Sequence, residues 1–459
     1  MAFIFVGLYH WIYSTYVNPI FEYAHYEYYS HAIGLYVLSY LFAVAPVFFS
    51  TNRKNPATYG AALLYVFCYA PAQMTILFMW ARSEISLIFL QASLAASMSA
   101  FFYISKYKVS LGLSKNFNSS NNKGELTFKA KKVIFILTLL FTISLILGNW
   151  SHMRLVGFDD VYDLRFDARD AEIGGVSGYF ILWLTTFIIP YYAANGVFEK
   201  RKWQLCVAAL LGLISYMANG AKISLLMPYA IMIISLMYMA RGNFLSRLLL
   251  YCVAVLFMLV LIDSPGLDLV KSLLIMRTLS TGGWTMITYY EFFTNNGFTY
   301  YSHVRIIDAI FGLYQYGDYS LGQLIGMEYS GSSDANFNAN FWASDGIAAL
   351  GTIGIIPVTI FLMMVMLMIN AAGDHCDKRL LAIWLTGFWM ALLNSPLTTS
   401  LFSGGAILIL MLVWYSGRSS SRTSKLIHSK KGALVSDDRC LQAVPLLGNT
   451  GLVDLKHKI

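Results

Sequence analysis

Charge is what this chain has least of. Asp, Glu, Lys and Arg make up 12% of its 459 residues, while 58% are hydrophobic. A soluble protein of this length needs far more charge to cover its surface. The phosphate-binding pattern GxxxxGK[ST] is absent, as are GxGxxG, HExxH and paired CxxC. There is no DxD to hold a metal against a sugar nucleotide. These absences argue against a substrate that arrives as a cytoplasmic nucleotide. Cysteine is sparse too: Cys68, Cys206 and Cys252 fall in apolar runs, and Cys376 and Cys440 in basic loops. No disulfide, metal cluster or cofactor is expected. The N-terminus lacks a basic region and a small-residue cleavage site, so no cleavable signal peptide is expected.

What is present is a series of apolar runs about 20 residues long, enough to cross a bilayer core of roughly 30 Å. They predict spans near 3–18, 31–49, 58–79, 84–103, 132–149, 175–195, 203–219, 222–240, 247–263, 345–369, 379–395 and 401–416. The chain therefore reads as all-α, a polytopic integral membrane protein with about 12 transmembrane helices. The first run carries His10, Trp11 and several tyrosines, and also fits an interfacial helix.

Orientation follows from Lys and Arg. With both termini in the cytoplasm, the inner loops hold 24 of the 32 basic residues. Every inner loop is then basic, as the positive-inside rule requires. The outer side holds 17 of the 24 acidic residues and eight basic ones. The pI of about 9.0 is thus a matter of sidedness, and no nucleic-acid partner is expected. Four blocks result: spans and loops over 1–263, with an outer loop at 150–174; a large outer loop at 264–344; spans over 345–416; and a basic cytoplasmic tail at 417–459, which is expected to touch anionic lipid.

Outer loops this long are usually functional or disordered, and the aromatic content of 264–344 argues against disorder. It is expected to fold back on the membrane as short helices, with helical stretches at Lys271–Arg277 and Thr285–Phe293, while Thr299–Leu313 carries His303, Arg305 and Asp308. Such a place suits work on a lipid-linked group. Arginine grips a diphosphate through paired hydrogen bonds, and a diphosphate leaving group needs positive charge in the transition state. Arg165, Arg169, Lys222, Arg277 and Arg305 are the candidates. Asn338 and Asn340 suit sugar hydroxyls. Each has a plainer reading. Arg165 and Arg169 stand among acids and can pair with them. Lys222 opens a span and can snorkel to the interface. His303 and Arg305 can anchor a loop helix. Asp345 can be a helix-terminal carboxylate, and Gly351 and Gly354 can be helix-packing contacts.

The segment NANFWASDGIAALGTIGIIP (338–357), after a long outer loop, resembles the end of the large periplasmic loop in O-antigen and oligosaccharide repeat-unit polymerases of the Wzy type. VYDLRFDAR (161–169) is similar to the arginine-bearing loop of that family, and Asn219-Gly220-Ala221-Lys222 to its Gly-Arg/Lys feature. The resemblance implies a GT-C-like architecture in the bacterial inner membrane. It implies a glycosyltransferase that moves a growing glycan from undecaprenyl diphosphate to an undecaprenyl-diphosphate-linked repeat unit at the periplasmic face. A flippase and a chain-length regulator would be its partners, besides membrane lipid. Arg277, Arg305 and Lys222 would hold diphosphates, with Arg165 or Arg169 closing the site. His303, Glu291 or Asp345 would assist deprotonation of the acceptor. Related ligases carry a His-Asn before the equivalent span. Asn340 stands where that histidine would be, which argues against ligase activity. Two alternatives remain: a lipid-linked oligosaccharide flippase or transporter, and a polyprenyl-phosphate sugar transferase using Glu22 and Glu27.

Overall fold

The computed structural model describes residues 1–108, 126–151, 153–157, 176–262 and 264–416. Arg165, Arg169, most of the 150–174 loop and the 417–459 tail lie outside the described residues. The described elements are all helical. Seven helices are long and apolar enough to cross a membrane: α3 (Pro56–Met79), α4 (Glu84–Ile104), α5 (Phe128–Asn149), α6 (Gly178–Phe198), α8 (Lys222–Met239), α9 (Phe244–Leu261) and α13 (Ala343–Ala372). Each coincides with an expected span. Helices at 2–21 (α1) and Lys202–Asn219 (α7) cover two more expected spans without joining those seven, and α2 (Ile33–Phe49) is a shorter apolar helix.

The last two expected spans, 379–395 and 401–416, are the main departure. This stretch is broken into α14 (378–391, interrupted at Leu385), α15 (Leu397–Phe402) and α16 (Ala406–Ser416). Pro396 precedes α15, and Gly405 takes a left-handed φ of 74° after it. At about 1.5 Å per residue none of these pieces reaches across roughly 30 Å of hydrocarbon.

α3 is the hub of the bundle: 94% of its apolar window is buried, against 28% for α5 and α9 at the rim. Helix α10 (268–296), from the large loop, packs along the Cys68–Trp80 side of this hub. Gly282 meets Cys68, a Cβ on Gly283 would stand 2.5 Å from the Thr75 Cβ, and Tyr290 stacks near Trp80. Only glycine permits that approach. The Lys271–Arg277 and Thr285–Phe293 stretches therefore form one helix set into the bundle. The remaining loop helices are α11 (Arg305–Phe311) and α12 (Leu321–Ser330). Residues 300–303 form a turn ahead of α11.

The basic loops gather at one end. The Arg53 guanidinium donates to the Lys106 carbonyl and the Lys54 ammonium to that of Ala240. Lys108 pairs with Asp374 at 2.7 Å, Lys131 with Glu199 at 3.5 Å, and Arg379 lies over the Phe198 ring. The opposite end holds the Trp80–Arg82 corner, the Met153–Val156 backbone against α7, and the loop helices. Single cysteines at Lys378 and Asp318, in a background without the native cysteines, should therefore react with an impermeant maleimide from opposite sides of a sealed membrane. Labelling of both from one side would contradict this packing.

Candidate functional site

The site begins with a break in α13. Gly351 adopts φ 62° and ψ −143°, a region that is essentially glycine-only. The expectation of a plain packing glycine holds for Gly354, which lies against Gly346, but Gly351 interrupts the helix. Two carbonyls at the break bond outside the helix instead. Ala348 O accepts from the Thr299 N–H at 2.9 Å, and Ala349 O from the Tyr300 N–H at 3.1 Å. These bonds seat a tight turn in which Tyr300 and Tyr301 are left-handed, with φ of 49° and 64°. The Tyr301 hydroxyl donates to Gly354 O at 3.0 Å and fixes the far side.

The turn delivers His303. Its Nδ1 lies 2.9 Å from the Thr299 hydroxyl, which donates to Ala348 O at 3.2 Å. With the hydroxyl hydrogen given to the carbonyl, the hydroxyl accepts from the ring, whose proton is then on Nδ1 and whose lone pair is on Nε2. Nε2 faces Asp345 Oδ1 at 3.5 Å, and the two side chains are only 7% and 5% exposed. Neither atom has another hydrogen-bond partner among the described residues.

Asp345 is held from two directions. Its Oδ2 accepts from the Leu397 N–H at the start of α15. Asn340 sets the first turn of α13: its Oδ1 accepts from the Ala343 N–H at 2.9 Å, and its Nδ2 donates to Gly282 O and to the Thr285 hydroxyl. Asn340 is fully buried with both amide atoms engaged. It is thus a strut between α10 and α13, and does not reach a sugar as expected.

Two cavities meet at His303 and Pro396. One is a polar chamber of about 420 Å³, lined by Tyr289, Asp308, Asp318, Asn336 and Asn338 among others. The other is a groove of about 690 Å³ with Tyr179, Leu182, Ile306 and Phe402 on its walls. Both fall within the roughly 300–1,000 Å³ of ligand clefts.

Of the expected residues, the structure brings together His303, Asp345 and Asn338. Arg305 opens α11 between the groove residues Val304 and Ile306; its side chain lies outside the description. Arg277 is exposed on α10 near Tyr26 and lines neither cavity. Lys222 starts α8, whose Ser224 hydroxyl is 2.8 Å from that of Thr185 on α6, the helix that carries Tyr179 and Leu182. Glu291 belongs to a separate cluster. It accepts from the Tyr329 hydroxyl at 3.2 Å, and burial raises its carboxyl above the usual range, with Arg82 opposing and Glu27 reinforcing. Sequence reasoning missed Thr299, Pro396 and the Leu397 amide. The Asn394-Ser395-Pro396 cluster inside an apolar run was the available signal. No group of three or more His, Cys, Asp or Glu suited to a metal occurs among the described residues.

No family model, curated protein or solved structure matches the chain.

The two demands on Asp345 can be separated. Asp345→Leu should lower stability by about 1–3 kcal/mol, because it leaves the Leu397 N–H buried and unpaired. Asp345→Asn keeps an acceptor and should unfold in detergent close to the wild-type temperature. Equal unfolding temperatures for Leu and Asn variants would show that the contact does not hold the break.

Proposed function

We propose that this protein is a polysaccharide repeat-unit polymerase of the bacterial inner membrane, working at the outer face. The observation that carries this reading is the buried His303–Asp345 pair at the junction of a polar chamber and an apolar groove. A lipid-linked saccharide needs both environments at once. The basic end of the bundle is taken as cytoplasmic by the positive-inside rule, which puts the pair at the periplasmic side.

In this reading His303 Nε2 accepts the proton of an acceptor sugar hydroxyl. The freed oxygen attacks the anomeric carbon of the donor glycan. The bond from that carbon to the lipid diphosphate breaks, and the diphosphate keeps the electron pair. Asp345 offsets the charge of the new imidazolium at 3.5 Å, a pairing strengthened by the low dielectric of a buried site. Thr299 is a positioning residue: its bond to Nδ1 keeps Nε2 free to accept. Arg305, at the rim of the groove, is assigned to the departing diphosphate. Lys222 is assigned to the same edge, and Arg277, Arg165 and Arg169 remain assigned to substrate capture away from the pair.

A flippase or transporter would gather its charges along a midplane cavity. The His303–Asp345 pair instead lies toward one end of the bundle, which favours the enzymatic reading.

Deletion of the gene should abolish long surface-polysaccharide chains on gels while single-repeat material survives. Complementation with His303→Ala, Asp345→Asn or Arg305→Ala, at wild-type membrane levels, should leave long chains missing. Thr299→Val should slow polymerisation about tenfold or more, the worth of one hydrogen bond in the transition state, and Thr299→Ser should restore it. Unchanged long chains in the deletion strain would reject the polymerase reading.

A further inference from the structure

We infer that the two sugars joined at this site are uncharged or amino sugars, and that a sugar bearing a carboxylate is excluded from either side of the new bond. This rests on the polymerase reading above. The chamber beside the pair carries Asp308 and Asp318 on its walls, and no lysine or arginine side chain among the described residues lines it. Asp345 follows the lining residue Ser344 in the chain and faces the lining residue His303. The His303 ring lines the chamber, with its buried Nε2 3.5 Å from Asp345 Oδ1.

A uronic or similar acid seated there would face Asp308 and Asp318 with no lysine or arginine side chain among the described residues beside them, which disfavours the ionised ligand. Neutral rings meet suitable groups instead. One Asp308 oxygen accepts from the Tyr314 N–H at 3.0 Å, which leaves the other for a sugar hydroxyl or ammonium. The amides of Asn336 and Asn338 offer both donors and acceptors. An ammonium on an amino sugar would gain a charge-assisted bond from either aspartate. The anionic part of the substrate, its diphosphate, belongs at the groove, where the backbone of Arg305 begins α11. The carboxylates of Asp308 and Asp318 line the chamber and not the groove.

The test uses the native organism. Surface polysaccharide is purified from wild-type and deletion strains. The linkage between repeats is located by methylation analysis and NMR, comparing polymer with the single-repeat material of the deletion strain. The expected result is loss of polymer on deletion, with a neutral, N-acylated or free amino sugar on both sides of the linkage. Loss of polymer together with a uronic or other carboxylated sugar at either flanking position would overturn the inference and leave the polymerase reading standing. Polymer that persists in the deletion strain would remove that reading, and this inference with it.

Discussion

The contact between the Asp345 carboxylate and the Leu397 amide is the interaction on which the site depends. Hydrocarbon offers no water to a loose backbone group, so interrupted helices survive at depth only where protein satisfies them or a cavity is lined. The stretch from Leu392 to Leu397 is such an interruption. One carboxylate oxygen answers it. The other is left facing His303, and a structural necessity thereby fixes the orientation of a chemical group. Gly351 repeats the logic on the opposite side: a break in α13 exposes two carbonyls, and the amides of Thr299 and Tyr300 take them up. Both halves of the pair are aimed by repairs to broken helices.

That arrangement has an electrostatic consequence. A lone pair and a carboxylate held 3.5 Å apart without another partner have room for one proton between them. When the histidine is neutral the two acceptors oppose each other, and when it takes a proton they attract. The geometry therefore sets the carboxylate where it offsets a positive charge on the ring.

Much of this was legible in the chain. The grouping of the basic loops was, because Lys and Arg in short loops follow a rule independent of tertiary contacts, and the described loops that carry them do meet at one end. Seven spans were legible because an apolar run of sufficient length has few other uses. His303 and Asp345 were legible as chemistry-bearing residues, but not as a pair, since 42 positions separate them and only the Gly351 break explains their meeting. The segment 379–416 misled because hydropathy averages over the very residues, Pro396, Gly404 and Gly405, that cut it into pieces. Asn340 misled for a different reason. An asparagine before an apolar helix serves equally as a ligand-binding amide or as a cap, and the choice was decided by Gly282 and Thr285, which a local reading does not connect to it.

The turn at 299–303 shows why the site is rigid. A left-handed tyrosine costs about 1–2 kcal/mol relative to its usual conformations, and here two occur in succession. Such a turn would not persist in a free loop. It is over-determined by two backbone bonds to α13, by the Tyr301 hydroxyl on Gly354, and by Phe298 packed on Gly351. Every one of those contacts is to α13, the helix that also bears Asp345. The backbones of the histidine turn and of Asp345 are consequently referenced to the same short segment, 343–354, while the Leu397 amide aims the carboxylate. The two groups thus share one frame, set by the break at Gly351.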